Sequence, residues 1–254
     1  MRVREMSSQE DKIQDAITEV NPDVMEHTWL PSQFVGYDTN MVYVRRLKVK
    51  EVKLLSKVAT SPSLSTFVRV YRDVVSGIDV ADMYPVDFKF IMFVVAQLTK
   101  SDFAIHGVYN CTNPECEYHK DKQITGTFKL EDIDWEEMPQ DLPITVQGVD
   151  LRPLRVRDIQ FLDSHSSEIT SEIPEFSVDI GYLALMSDYT ISDNNSFMLF
   201  KEVYDKISEC DWDVGFDDAL ITLYPDVKPI QVECPGCKSK FGVDFDLDYS
   251  RIYL

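Results

Sequence analysis

Four of the chain's five cysteines fall in two close pairs that stand far apart. Cys111-Thr112-Asn113-Pro114-Glu115-Cys116 is a C-x4-C, and Cys234-Pro235-Gly236-Cys237 is a tight C-x2-C. Between Cys116 and Cys234 lie 117 residues. Closely spaced thiolates on a turn reach one metal ion at about 2.3 Å, and two such pairs fill a tetrahedral shell. Asn-Pro and Pro-Gly both favour turns. In a knuckle of this kind backbone N–H groups point at the sulfurs. The expected ligand set is therefore Cys111, Cys116, Cys234 and Cys237, and any fold open to the chain has to bring two distant segments together.

The ion expected at a closed four-thiolate site is zinc, acting structurally. An iron–sulfur cluster on the same four sulfurs is the alternative. Disulfides suit a reducing compartment poorly. His119, three residues after Cys116, is a candidate substitute ligand, although four cysteines already complete the shell. A redox-active CxxC should start a helix after a strand. Cys237 instead leads into Lys-Ser-Lys-Phe-Gly-Val-Asp-Phe-Asp-Leu, which alternates as a strand does. Cys210, on a helical stretch, reads as a small buried hydrophobe.

An internal similarity supplies a reason for the pairs to meet. Val42–Leu55 aligns without gaps on Val149–Leu162. Apolar residues match at Val42/Val149, Val44/Leu151, Leu47/Leu154, Val49/Val156, Val52/Ile159 and Leu55/Leu162. Charges match at Arg45/Arg152, Lys48/Arg155, Lys50/Arg157 and Glu51/Asp158. The apolar spacing changes from that of a strand to that of a helix, with Leu55 and Leu162 on the core face. Helices are predicted over 50–57, 65–75 and 85–98 in the first copy. In the second they are predicted over 157–165, 178–187, 196–210 and 216–223. Each copy ends in a cysteine pair and an extended segment, Thr127–Leu130 and Asp244–Leu247, with Phe128/Phe245 and Leu130/Leu247 on one face.

The expected architecture is α+β. Two pseudo-repeats, each a β-hairpin or short strand plus helices, are joined by a four-cysteine metal knuckle. Residues 1–28 read as a mobile acidic arm with a thin helical stripe over 10–20. Residues 29–141 form the first repeat with Cys111/Cys116, and residues 142–254 the second, with acidic helices and Cys234/Cys237. A chain of 254 residues, 44% hydrophobic, can bury a real core without disulfides.

Charge narrows the partners. The formal charge is −19, which argues against a general nucleic-acid binder or docking on an anionic membrane. Between residues 158 and 218 stand fifteen Asp or Glu against Lys201 and Lys206. The opposite pole is Arg45, Arg46, Lys48, Lys50, Lys53 and Lys57, broken by Glu51. Two solvated faces are the plain reading. Complementary docking surfaces are the sharper one, with Arg45, Arg46 and Lys48 binding a partner. No apolar run approaches the length of a membrane span, and Met1–Glu5 lacks the apolar core of a signal peptide. A soluble protein in a reducing cytoplasm is expected.

No phosphate-binding glycine loop and no G-x-S-x-G elbow occur. Asp163-Ser164-His165-Ser166 holds nucleophile and base types, but consecutive residues cannot face one another as a triad does. It reads as a solvated helix end. Asp211–Asp218 is a poor calcium loop, with its glycine one place early and Thr222 where the twelfth-position acid belongs. The Asp-Trp pairs at 134–135 and 211–212 read as indoles in a core or interface. No catalytic residues are expected, and the protein is read as a non-enzyme.

Leu30-Pro31-Ser32, the basic strand leading into a helix over Val42–Leu55, and the knuckle with its apolar–acidic strand over Cys234–Leu247 resemble one family. It is the baseplate hub subunit family of contractile-tailed, T-even-like bacteriophages. The resemblance implies a structural role in baseplate and tail assembly. The implied partners are other hub, spike and tail-tube proteins in a hetero-oligomeric ring. It also implies a place in the virion tail baseplate, reached by assembly in the bacterial host cytoplasm. The alternative is a cytoplasmic zinc-ribbon adaptor that binds a basic protein through the 158–218 acidic face.

Overall fold

A computed structural model describes residues 24–27, 29–58, 64–211 and 214–243. It is a mixed α and β molecule whose strands form small antiparallel sheets. Three short strands open it: β1 (Val24–His27), β2 (Val42–Arg45) and β3 (Val75–Ser76), in the order β1-β2-β3. Val42 and Val44 are buried while Tyr43 and Arg45 are half-buried, the alternation of a strand on a core. The arm expected over 1–28 is corrected at 24–27, where β1 pairs residue by residue with β2. Its sequence, Val-Met-Glu-His, carries no clean alternation, so only the partner strand defines it. The helical stripe expected over 10–20 lies outside the described residues.

Helices α1 (Val49–Val58), α2 (Leu64–Arg72) and α3 (Pro85–Thr99) complete the first core. Pro85 opens α3, where its missing N–H costs nothing. Phe88, Ile91, Met92 and Val95 are fully enclosed, so α3 is the central post of this half. Asp87 lies in its first turn and is fully buried. It accepts hydrogen bonds from the Ser32 N–H at 2.9 Å and the Tyr37 hydroxyl at 2.8 Å. The Leu30-Pro31-Ser32 turn is thereby tied to α3. With no cation beside it among the described residues, burial pushes the Asp87 carboxyl up to about 6, against the opposing pull of these donors.

The second core begins with the hairpin β6 (Ile144–Val146) and β7 (Val149–Leu151). Its two-residue loop, Gln147-Gly148, has positive φ at both positions, as a tight hairpin requires. The helices here are α5 (Val156–Ser164), α6 (Ser166–Glu172), α7 (Val178–Ser187), α8 (Thr190–Asn194), α9 (Phe197–Ser208) and α10 (Val214–Leu223). The β4 (Ile105–Tyr109), β5 (Ile124–Phe128) and short α4 (Glu117–Lys120) elements precede them in the chain. Ser177 and Ser196 cap α7 and α9 by accepting from the N–H groups of Ile180 and Leu199. Phe161, Leu183, Phe200 and Phe216 form the buried centre. The helices predicted from periodicity are all present within a few residues, except that Val75 leaves α2 for β3.

The aligned segments build one device twice. Arg45 grips Glu51 through two hydrogen bonds of 2.9 Å, and Glu51 accepts the Lys48 N–H at 2.7 Å. Arg152 grips Asp158 at 2.7 and 3.0 Å, and Asp158 accepts the Arg155 N–H at 2.7 Å. Each arginine also donates to the carbonyl of the next residue. In both, a carboxylate in the first helical turn caps its own helix and pins the preceding strand. Beyond this junction the halves differ. β2 is the middle strand of a three-stranded sheet, whereas β7 has only its hairpin partner. Thr127–Phe128 ends β5, and Leu130 lies in a 3-10 turn rather than on the expected strand. Residues 244–254, with Phe245 and Leu247, lie outside the described residues.

The halves are bonded to each other. The Val156 N–H donates to the Met83 carbonyl at 2.9 Å, and Arg157 pairs with both Asp82 and Asp193. After α10 the chain returns to the first half. Residues 226–228 run antiparallel to 134–136, with Glu136 N–H to Asp226 O and Lys228 N–H to Asp134 O, each at 2.9 Å. Lys89 on α3 reaches Asp226 at 2.5 Å, and Ile230 enters the first core. The hairpin β8 (Ile230–Glu233) and β9 (Lys240–Val243) follows directly.

Candidate metal centre

Each cysteine pair sits at the tip of an antiparallel hairpin. Cys111 and Cys116 lie between β4 and β5, and Cys234 and Cys237 between β8 and β9. The 134–136/226–228 seam sets the two hairpins side by side. All four Sγ atoms lie within 4.8 Å of one another. Two approaches run across the hairpins: Cys111 to Cys237 and Cys116 to Cys234, both 3.6 Å. A tetrahedral ion with bonds of about 2.3 Å needs sulfurs about 3.8 Å apart. A disulfide needs about 2.05 Å. The arrangement therefore suits one four-coordinate ion, and the four expected ligands are the four residues brought together.

The local turns are built for thiolates. The Asn113 N–H faces Cys111 Sγ at 3.4 Å, and the N–H groups of Tyr118 and Ser239 face Cys116 and Cys237. In all three cases the donor lies two residues after its cysteine. Lys238 has φ +63, the left-handed turn that closes the second knuckle, and its N–H returns to the Cys234 carbonyl at 3.0 Å. Gly236 has a packing role. A Cβ there would stand 2.9 Å from the Tyr118 ring and 3.3 Å from Cys116 Sγ. The glycine lets one knuckle lie against the other.

Burial is uneven. Cys111, Cys116 and Cys234 are buried, while Cys237 is exposed. Ile124 and Phe241 close a small apolar shell around the sulfurs. Without a metal the thiols differ in acidity. The Ser239 hydroxyl and then its N–H pull Cys237 down to about 6. The Tyr118 N–H favours the Cys116 thiolate, but burial and the three neighbouring sulfurs together push Cys116 up to about 11. Four thiolates so close need a cation to be charged together.

Other expected residues fall elsewhere. His119 is not in the ligand set. Its Nδ1 lies 2.5 Å from the Cys111 carbonyl, so it steadies the first knuckle from outside. Cys210 is half-buried rather than enclosed, with Sγ 3.5 Å from the Lys206 carbonyl. His165 is not on a solvated helix end. It is buried, with its ring centroid 4.2 Å from that of Phe161. Trp135 is buried against Phe90 and Phe93, while Trp212 lies outside the described residues. Arg45, expected to face a partner, is engaged in an internal clamp. Its side chain is 14% exposed and its guanidinium is held by Glu51 and the carbonyls of Arg46 and Asp73. Arg46 and Lys48 are exposed. No helix among the described residues is long and apolar enough to cross a membrane.

The seam that Asp134, Glu136, Asp226 and Lys228 form was not foreseen from sequence, because its partners stand about 90 residues apart with no spacing to pair them. No family model, curated protein or solved structure matches the chain.

Proposed function

We propose that the chain is a structural, non-enzymatic component of a contractile phage tail baseplate hub, stapled by one zinc ion. The observation that carries the staple is the convergence of four sulfurs from hairpins 117 residues apart in sequence. Zinc is favoured over an iron–sulfur cluster because the sulfurs close around a single ion. A cluster spreads its thiolates over separate irons and sets them farther apart. Four thiolates leave no open coordination position, so the ion's work is to hold the hairpins together. Its binding free energy becomes folding free energy for the seam and both knuckles.

The hub assignment rests on the resemblance of Leu30–Ser32, Val42–Leu55 and Cys234–Leu247. In the fold these stretches do structural work. The first anchors on Asp87, the second forms a clamped strand-to-helix junction, and Cys234–Val243 carries half of the staple. The partners proposed are hub, spike and tail-tube proteins, met in a hetero-oligomeric ring during assembly in the host cytoplasm. The test is to express a tagged chain with the hub, spike and tube proteins of the same genome. Assembly of tail intermediates containing the tagged chain, seen by electron microscopy, is expected. A folded, zinc-loaded chain that joins none of them would refute the hub reading and favour the adaptor.

A further inference from the structure

A basic groove runs between α1 and α2. Lys50, Lys53, Lys57 and Arg69 surround it, and Leu54 and Val70 form its apolar floor, with a volume of about 470 Å³. Two acids also line it. Glu51 is already clamped by Arg45, which leaves Asp73 at one end. Lys50, Lys53 and Arg69 are exposed and make no ion pair with any described residue. In a chain of net charge −19, three cations with no ion-pair partner among the described residues gather around one apolar slot.

The same chain carries a complementary face. On α10, Asp217, Asp218, Ile221 and Thr222 are exposed while Phe216, Ala219 and Leu223 are buried. Ile221 is 70% exposed, and the two aspartates stand one helical turn before it on the same side. An aliphatic knob behind two carboxylates matches an apolar slot rimmed by cations. The two surfaces cannot meet within one molecule. α10 packs on α7 and β6 in the second core, while α1 and α2 pack on each other in the first.

We propose that a second copy of this chain occupies the groove, with its α10 face seated on α1 and α2 so that copies join head to tail. The Ile221 side chain of one copy enters between Leu54 and Val70 of the next, and Asp217 and Asp218 meet Lys50, Lys53 and Arg69. Such a contact uses two different surfaces, so it closes into a ring or continues as a filament. The charged rim makes association faster and stronger at low ionic strength, since the Debye length shrinks from about 30 Å to about 3 Å between 0.01 M and 1 M salt. This contact stands without the tail assignment.

The experiment is sedimentation velocity on the metal-loaded full chain, across concentration at low and high salt. Wild type should associate beyond the dimer at low salt and revert to monomer at high salt. Two double variants block one face each: Lys53→Glu with Arg69→Glu, and Asp218→Lys with Ile221→Ser. All four positions are exposed, so melting should be unchanged. Each variant alone should need at least about tenfold higher concentration to associate. Mixed together, they should give a dimer and nothing larger, because each retains the face the other lacks. Wild type that stays monomeric at every concentration, oligomers that persist in both variants, or a mixture that forms no dimer would each overturn the contact. An acidic partner helix as the groove's true occupant would appear as the first of these results.

Discussion

Both halves of the molecule use the same two devices, an arginine–carboxylate junction and a cysteine knuckle, but at different depths. In the junctions the second copy is deeper. Asp158 is fully buried and takes an additional hydrogen bond from the Ser192 hydroxyl at 2.6 Å. The Glu51 side chain remains 8% exposed and has no such extra donor among the described residues. In the knuckles the order reverses. The first buries both sulfurs, and the second buries Cys234 and exposes Cys237. Identical bonds therefore do not imply identical energetic weight. What a deletion costs depends on how many hydrogen-bond partners it strands and on whether water can reach them.

The largest effect should come from the cysteines. Cys234→Ser removes the enclosed sulfur of the second knuckle, and metal binding and soluble expression should both be lost. Cys237→Ser acts at the solvent edge, where water can fill a coordination place. It should leave a folded chain with weakened metal affinity. Metal stoichiometry and a chelator competition on both variants separate them, and equal behaviour would contradict the difference in depth.

Next come the junctions. Asp158→Ala strands a half-buried Arg152 and removes the α5 cap, and should cost about 3–5 kcal/mol. Glu51→Ala should cost about 1–2 kcal/mol less, since Arg45 is left no more exposed than Arg152 and only the Ser192 hydrogen bond has no counterpart. Urea unfolding of the two variants measures the gap. A Glu51 variant as damaged as the Asp158 variant would erase it.

Asp87 sharpens the comparison, because it is as buried as Asp158 but has no cation beside it among the described residues. Its carboxyl is raised from 3.8 to about 6 by burial. The folded chain therefore takes up this proton before the unfolded chain does. The contribution is fully present below the unfolded value and lost as pH rises through about 6. Lowering the pH from neutral to about 4 should add about 2 kcal/mol from this group. Glu51 works in the opposite sense. Its hydrogen bonds from Arg45, chiefly, hold it below the usual carboxylate range, so its contribution is lost as pH falls through its lowered folded value. In Asp87→Asn the gain between pH 7 and 5 should vanish, and an unchanged pH profile would contradict the assignment.

Gly236 tests how closely the two knuckles pack. Gly236→Ala presses a methyl group on the Tyr118 ring and Cys116 Sγ. A cost of about 1–3 kcal/mol is expected, as for overpacking, with the metal retained. Thermal melting of the loaded chain is the readout.

The sequence made the knuckles legible because thiolate chemistry has a spacing, and it made the helices legible because their apolar faces have a period. The Arg45/Arg152 and Glu51/Asp158 matches were visible as aligned charges. Their partnership was not, because nothing in a linear alignment says that an arginine on a strand reaches a carboxylate six residues on. Arg45 thus read as a docking residue. β1 was missed for want of alternation. The seam at 134–136 and 226–228 was missed because its partners lie about 90 residues apart or more and no local spacing marks them. Asp87 stood in an apolar run with no local sign that a Ser32 N–H and a Tyr37 hydroxyl would satisfy it.

The central claim is that four cysteines from two distant hairpins share one metal. The most direct measurement is metal content with visible absorbance on anaerobically purified chain, followed by thiol alkylation. One zinc per chain, no colour, and four thiols that react only after chelation is the predicted result. Metal-free protein whose four thiols react at once would contradict the shared site, and brown protein with inorganic sulfide would contradict zinc.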